Sequence, residues 1–131
     1  MVNDPLGDFI VRLTNAGAVK KTSVSVPFSL LKLAVAEKLQ AVGFLASVEK
    51  KGKKVRKTLE VGLKYRESGE PAISGVKRIS KPGRRMYRGV KEIHSVRYGT
   101  GVLVLSTPKG VMTDKEARAA KVGGEAMFEI W

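Results

Sequence analysis

Residues 102–118 read Val-Leu-Val-Leu-Ser-Thr-Pro-Lys-Gly-Val-Met-Thr-Asp-Lys-Glu-Ala-Arg, and this stretch says most about the fold. Its first four residues form an apolar run that predicts a short β-strand, Val102 to Leu105. Thr113 is followed three residues later by Glu116, a capping box that predicts the start of a short helix. The segment Ser106–Gly110 is therefore predicted to be a loop between strand and helix. This loop would hold the hydroxyls of Ser106 and Thr107 and the ammonium of Lys109 in a fixed position.

The rest of the second half is predicted to be mostly β. Gly123-Gly124 should end the short helix, and Glu125 to Trp131 alternates like a terminal strand. Upstream, Ile73 to Ile79 predicts another strand, and Pro82-Gly83 breaks the segment that follows it.

The first half begins with a predicted helix. Asp4 is a good N-cap, Pro5 suits the first helical position, and Gly17 stands where the helix should stop. Ser23-Val24-Ser25-Val26 then alternates like a strand that ends at Pro27.

A second helix is predicted from about Ser29 to Gly43. We expect its core-facing residues to be Leu30, Leu33, Ala34 and Val35.

After Gly43 the hydrophobic period changes to two, which predicts a hairpin. Phe44 to Val48 reads as its first strand and Lys50-Lys51-Gly52-Lys53-Lys54 as its turn. The turn is either a solvated loop tip or an arm that contacts phosphates. In the return strand, the residues expected on the buried face are Val55, Leu59, Val61, Leu63 and Tyr65, and those on the other face are Arg56, Thr58, Glu60 and Lys64.

These patterns predict an α+β protein of two small lobes. The polar, turn-rich segment Glu67–Pro71 is the candidate boundary. Residues 1–70 would form an N-terminal αβαββ lobe, and residues 71–131 a C-terminal lobe that is mostly β with one short helix. The C-terminal lobe would carry the main functional loop.

Composition points to a polyanionic partner. The chain of 131 residues has a net charge of +13, from 25 Lys and Arg against 12 Asp and Glu, and both halves share the excess. From Lys77 to Lys91 there are seven basic residues and no acidic one, with Tyr87 among them. The Tyr87 ring would either stack on a base or sugar, or belong to the core of the second lobe.

Other function classes find little support in the residues. His94 is the only histidine and no nucleophile motif accompanies it, so no catalytic residue is predicted. With no cysteine and only scattered acidic residues, neither a metal site nor a cofactor is expected. The sequence has no apolar run of membrane-spanning length and no secretion signal, which predicts a cytoplasmic protein without a membrane partner.

The segment 106–118 followed by Gly123-Gly124-Glu125 resembles the signature of the family of the eighth small-subunit ribosomal protein of bacteria. The resemblance extends through Ile79–Arg85 and Tyr87 to Glu37–Phe44 and Asp4-Pro5, so it covers essentially the whole chain. It implies a non-enzymatic, rRNA-binding constituent of the 30S small subunit that takes part in ribosome assembly and translation. The partners implied are the central domain of 16S rRNA, neighbouring small-subunit ribosomal proteins and, in some bacteria, the mRNA of the protein's own operon.

The resemblance also implies which residues contact RNA. The main site would be the loop with the final strand beside it, and Tyr87, Arg84 and Arg85 would support the same face. A different RNA stretch would meet the helix starts near Asp4, Pro5 and Lys32. The residues expected at the main site are Ser106, Thr107, Pro108, Lys109, Gly124 and Glu125.

Three positions within this expected site leave questions open. Glu125 would either accept hydrogen bonds from base amino groups or hold the hydroxyls of the loop. Pro108 stands where many relatives carry a small hydroxyl residue, which puts a side-chain contact there in doubt. Leu30 occupies a position that is often basic in the family, so Lys32 would carry that contact alone.

Two other readings remain as alternatives. An RNA-processing enzyme would need a catalytic constellation that the sequence does not offer. A general basic nucleic-acid-binding protein, such as one that compacts DNA or lies on a membrane surface, would be indifferent to RNA structure.

Overall fold

The computed structural model describes residues 4–52 and 56–131. The chain forms two compact units, one of residues Asp8–Ser74 and the other of Gly75–Trp131 together with the residues up to Gly7. The predicted α+β class is confirmed, with αβαββ order in the first half and mostly strands in the second. The helices and strands are α1 Pro5–Ala18, β1 Ser23–Pro27, α2 Leu30–Val42, β2 Leu45–Lys51, β3 Thr58–Leu63, β4 Val76–Arg78, β5 Tyr87–Arg88, β6 Val102–Thr107, β7 Gly110–Thr113, α3 Asp114–Ala120 and β8 Gly124–Ile130. The division into functional lobes at residue 70 stays a prediction.

Helix α1 begins as predicted and ends later than predicted. The Asp4 carboxylate accepts a hydrogen bond from the Gly7 N–H at 3.1 Å, which caps the first turn. The helix runs through Gly17 and reverses at Lys20, whose φ of 61° is left-handed. The Lys21 N–H donates to the Ala16 carbonyl at 3.0 Å, which closes the end of the helix. The expectation that Gly17 stops the helix was therefore wrong.

Helix α2 lies between the two predicted caps, but its buried face differs from the prediction. The Ser29 side chain accepts from the Lys32 N–H, and Gly43 ends the helix with a φ of 96°. The buried stripe has i, i+3, i+4, i+7 spacing and consists of Lys32, Val35, Ala36 and Leu39. Leu30 lies off this stripe and is 78% exposed, so its predicted core position was wrong; Leu33 and Ala34 are half-buried.

The sheet of the Asp8–Ser74 unit has the order β1-β3-β2 with antiparallel pairing throughout. Its central strand β3 buries Leu59, Val61 and Leu63, as the alternation predicted. Lys50 and Lys51 lie within β2 rather than in a turn. The remaining basic residues predicted for that turn, Lys53 and Lys54, lie outside the described residues, as does Val55.

The other unit contains a sheet of order β4-β8-β6-β7, with β5 also pairing with β8. Strand β8 is central because it pairs with β4, β5 and β6. The predicted strand Ile73 to Ile79 is shorter, Val76–Arg78.

The predicted loop Ser106–Gly110 is instead the end of a β-hairpin. Strand β6 continues to Thr107, and β7 returns from Gly110 to Thr113 before α3 begins. The capping box is confirmed, since the Thr113 hydroxyl accepts from the Glu116 N–H at 3.2 Å and the Glu116 carboxylate accepts from the Thr113 N–H at 3.1 Å.

Helix α3 ends at Lys121, which has a left-handed φ of 57°. Gly123-Gly124 is therefore not its C-terminal stop, because Gly124 already belongs to β8. The helix covers a core cluster in which Ala117 packs with Leu103, Leu105 and Ala126.

Candidate nucleic-acid interface

The hairpin turn between β6 and β7 is held by the Thr107 side chain. Its hydroxyl donates to the Gly110 carbonyl at 2.8 Å and accepts from the Lys109 N–H at 3.1 Å. Gly110 has a φ of 108°, which favours glycine over any residue with a side chain. Pro108 and Lys109 are exposed at the tip of the hairpin, and the proline ring fixes the φ angle of Pro108.

The two hydroxyls of the hairpin differ in what they can offer a ligand. The single hydroxyl proton of Thr107 is used within the turn, so this side chain has only acceptor capacity left. The half-buried Ser106 hydroxyl has no hydrogen bond to any described residue and can both donate and accept. A partner with 2′-hydroxyls or base edges can use both groups.

Gly124 brings the backbone of β8 close to the base of the hairpin. A Cβ at this position would overlap the Ser106 carbonyl oxygen and lie 3.1 Å from the Thr107 Cα. Because both obstacles are backbone atoms, a side chain here would force the two strands apart. The hairpin and the final strand are thus neighbours, as the family resemblance implied.

A row of cross-strand partners passes through Glu125. This residue pairs with Tyr87 of β5 on one side and with Ser106 of β6 on the other, and Ser106 pairs in turn with Val111 of β7. Cross-strand partners point to the same face of a sheet. The tyrosine ring, the carboxylate and the serine hydroxyl therefore lie side by side on one face, here called the Glu125 face.

The Glu125 carboxylate binds an arginine rather than the hairpin. Its Oε2 accepts from the Arg85 Nη1 at 3.2 Å, and the side chain is only 21% exposed. The Thr107 hydroxyl is committed to its own turn. The structure shows no hydrogen bond between Glu125 and a hydroxyl of the described hairpin residues, and the other expected role, accepting hydrogen bonds from base amino groups, stays a prediction.

Tyr87 is 70% exposed, so the alternative that placed its ring in the core was wrong. Arg84 is also exposed, in the turn Lys81-Pro82-Gly83-Arg84, where the end residues exchange two backbone hydrogen bonds of 2.9 Å. The Arg84 and Arg85 side chains are therefore carried on a short, closed turn next to Tyr87.

Ser80 fixes this basic turn, and no sequence pattern predicted its role. The side chain is fully buried, and its hydroxyl accepts from the Met86 N–H at 2.8 Å and donates to the Met86 carbonyl at 3.1 Å. The two bonds close the excursion of residues 81–85 at its base. Pro82-Gly83 predicted the turn, but a side-chain clamp across it depends on a contact that no local pattern encodes.

A β-bulge at Met127 decides which side chains share the Glu125 face. Val104 pairs with Phe128 and Leu105 pairs with Ala126, so β8 has one more residue than β6 at this point. Glu129 pairs with Leu103, which points to the face opposite Ser106 because the two are three residues apart on β6. Strict alternation would have put Glu125 and Glu129 on one face, whereas the bulge separates them.

Asp4 takes part in an ion pair in addition to its capping role. Its carboxylate accepts from the Arg78 guanidinium at 2.9 and 3.2 Å, and Arg78 also donates to the Met127 carbonyl. Burial raises the pKa of Asp4, but the hydrogen bonds from Arg78 and from the Gly7 N–H outweigh burial and hold this pKa below its ordinary value. Asp4 is therefore ionised and engaged at neutral pH, and Pro5 follows it as the first residue of α1.

Lys32 belongs to the Asp8–Ser74 unit. It is buried, and its ammonium donates to the Pro27 carbonyl at 3.1 Å. This bond uses one of the three ammonium protons. A role for Lys32 in RNA binding stays a prediction.

Residues 4–52 and 56–131 contain no group of three or more His, Cys, Asp or Glu residues that could hold a metal ion. Within the same ranges, no helix has both the length and the apolar character needed to span a membrane.

Comparison with known proteins places the chain in a family. The sequence model of the family described as ribosomal protein S8 matches residues 4–131. The small ribosomal subunit protein uS8 of Novosphingobium aromaticivorans is 47% identical over 130 residues, which cover 99% of this chain and 98% of that protein. Those of Cereibacter sphaeroides (48%, covering 99% and 98%) and Exiguobacterium sibiricum (47%, covering 100% and 99%) are similar to the same degree. These are names of ribosomal proteins and not of enzymes, and at this identity and coverage the chain belongs to the ribosomal protein S8 family.

Proposed function

We propose that this protein is a structural constituent of the small ribosomal subunit that binds the central domain of 16S rRNA directly and supports subunit assembly. The protein would then be located in the cytoplasmic ribosome, and its partners would include neighbouring ribosomal proteins. The family membership supports the ribosomal role. The observation that carries direct RNA binding is the row Tyr87–Glu125–Ser106 next to the clamped hairpin.

The chemistry of this row suits structured RNA. An exposed tyrosine can stack on an unpaired base, and a free serine hydroxyl can meet a 2′-hydroxyl or a base edge. Lys109 at the tip adds a phosphate contact, and Pro108 contributes a fixed turn rather than a polar group. Because Glu125 holds Arg85, the carboxylate also orients a cation toward the same RNA.

The rest of the proposed interface lies at the helix starts. Lys32 would reach a second RNA stretch with its two remaining protons. The Asp4 carboxylate is occupied by Arg78, so the contact there would come from the surface around Pro5. Binding of an mRNA that mimics the rRNA site, from the protein's own operon, is part of the same proposal because one RNA surface would serve both.

The test replaces Thr107 by alanine and, as a matched control, by serine. Alanine removes the two hydrogen bonds that hold the turn, whereas serine keeps the hydroxyl. We expect Thr107→Ala to lower affinity for a 16S central-domain fragment roughly fivefold or more, as befits losses of about 1 kcal/mol per hydrogen bond. Binding to an unrelated RNA duplex should stay nearly unchanged.

Lys109→Ala should behave differently, since it removes a charge and leaves the turn intact. We expect weaker binding to both RNAs, with a salt dependence that is flatter by about one unit of slope. Wild-type affinity of Thr107→Ala for the rRNA fragment would refute the assignment of the hairpin.

A second candidate function, general basic nucleic-acid binding, is favoured by the net charge of +13 alone. It predicts equal affinity of the wild-type protein for duplex DNA and for the rRNA fragment at moderate salt. Clear preference for the rRNA fragment would exclude it.

A further inference from the structure

A basic groove lies along the edge of the sheet β4-β8-β6-β7. It has a volume of about 330 Å³ and is open to solvent. Ile79 and Met86 provide its apolar lining, and Glu129 is the single acidic residue. The basic residues that line it are Lys77, Arg78, Lys81, Arg84 and Arg88.

The strand register places Lys77, Arg88 and Glu129 on the opposite side of the sheet from the Glu125 face. Arg78 pairs with Phe128 and lies on the same side as that face. Lys77 pairs with Glu129, and Glu129 pairs with Leu103, whose face is the one that α3 covers. Arg88 follows Tyr87 on β5 and so points away from the Glu125 face. None of Tyr87, Glu125 and Ser106 lines the groove, and Arg84 is the lining residue that is also expected to support the main RNA site.

The cations of the groove are largely uncompensated. Arg78 is committed to Asp4, at 2.9 Å. Among the described residues, none of Lys77, Lys81 and Arg88 has a carboxylate within 4.0 Å. Such a concentration of like charge is unfavourable in the free protein and is relieved by an anion.

The wall of the groove is fixed before any ligand arrives. The Ser80 hydroxyl clamps the base of the basic turn, and the backbone bonds between Lys81 and Arg84 close its tip. The cations that line this side are thus attached to a rigid backbone, while their long side chains can still adjust to phosphate positions.

We propose that this groove binds the phosphodiester backbone of a second RNA segment, distinct from the one at the hairpin. The inference rests on the proposed function and extends it, because one sheet would then hold a second RNA strand along its edge. An acidic protein segment is a poorer fit, since only Ile79 and Met86 offer anchorage for apolar side chains.

The first test removes two exposed charges from the groove, in the variant Lys77→Ala/Lys81→Ala. The matched control is Arg12→Ala/Arg66→Ala, which removes two exposed charges from helix α1 and the 66–70 turn. The groove variant should lose about two units of salt slope, so that raising salt from 50 to 200 mM costs it roughly tenfold less affinity than wild type. The control should keep the wild-type slope. Equal slopes for the two variants would overturn the proposal.

The second test maps where the groove meets RNA. The chain has no cysteine, and a side chain at Gly83 meets no atom within 4 Å, so Gly83→Cys can carry a hydroxyl-radical-generating chelate at the rim of the groove. Lys109→Cys carries the same probe at the hairpin. We expect the two probes to cleave different segments of bound 16S rRNA, and cleavage by the Gly83 probe only where the Lys109 probe cuts would overturn the proposal.

These outcomes are separable from failure of the proposed function itself. If wild-type protein shows no preference for the rRNA fragment, the proposed function fails. If that preference is intact while the groove variant matches the control, only the groove assignment fails.

Discussion

Replacing Gly124 by alanine places a methyl group against backbone that cannot rotate away. The new Cβ would overlap the Ser106 carbonyl oxygen and would lie 3.0 Å from the carbonyl carbon and 3.1 Å from the Thr107 Cα. Gly124 does not have a left-handed φ, so alanine can adopt the backbone conformation and the whole penalty comes from the contact. Strands β6 and β8 must therefore separate where the hairpin begins.

The expected cost is that of overpacking, about 1–3 kcal/mol. The matched control is Gly83→Ala, because a Cβ at Gly83 meets no atom within 4 Å and its φ is not left-handed. Because Gly83→Ala introduces no clash, it should be neutral or should stabilise the protein by about 0.4–1 kcal/mol, since alanine lowers the conformational entropy of the unfolded chain. For a chain of this size the difference between the two variants corresponds to a Tm gap of roughly 5–15 °C.

The assay is thermal unfolding followed by fluorescence. Trp131 is the only tryptophan and belongs to the same unit as Gly124, so its signal reports the relevant sheet. Binding of the rRNA fragment, measured well below Tm, should fall for Gly124→Ala and stay unchanged for Gly83→Ala, because only the first shifts Ser106 and Thr107 relative to Glu125. Indistinguishable Tm values and affinities for the two variants would refute the close approach of β8 to the hairpin.

Two further perturbations test contacts elsewhere in this unit. Because the pKa of Asp4 is lowered in the folded state, its contribution to stability is complete above the ordinary aspartate pKa and is lost as pH falls through the folded value. Asp4→Asn should therefore cost about 1–3 kcal/mol at pH 7, and its stability in urea titrations should fall less steeply below about pH 4 than that of the wild type. An equally steep fall in the variant would contradict the ion pair with Arg78. Ser80→Ala leaves the buried Met86 N–H without its partner, while the Met86 carbonyl still accepts from the Ala126 N–H. The variant should cost about 1–3 kcal/mol and speed amide exchange at Met86, and native-like protection there would show that the clamp is dispensable.

Elements with a local cause could be predicted from the sequence. The capping box of Thr113 and the alternation of Leu59, Val61 and Leu63 each depend on residues a few positions apart, and both were confirmed. The end of α1 shows the limit of such rules. Gly17 looked like a stop, but its missing side chain instead admits Pro71 at close range, and Lys20 takes the left-handed position.

The candidate site was harder to predict, because its geometry depends on strand pairing. The sequence predicts a strand-to-helix loop where the structure has a hairpin, since Gly110–Thr113 becomes a strand only through its pairing with β6. The bulge at Met127 leaves no trace in a segment that appears to alternate. Residue types near the site could be named from the sequence, but which face each side chain occupies could not.

One of the two units combines the residues up to Gly7 with Gly75–Trp131, and this has a consequence for folding during synthesis of the chain. Every strand of the β1-β3-β2 sheet is present once residue 74 has been made, so the Asp8–Ser74 unit can fold while translation continues. Asp4 must wait for Arg78, and β4, β5 and β6 must wait for β8, their common neighbour, which is translated after all three. A nascent chain that stops before Gly124 would thus keep a complete first sheet but lack the strand that joins the hairpin to the basic turn.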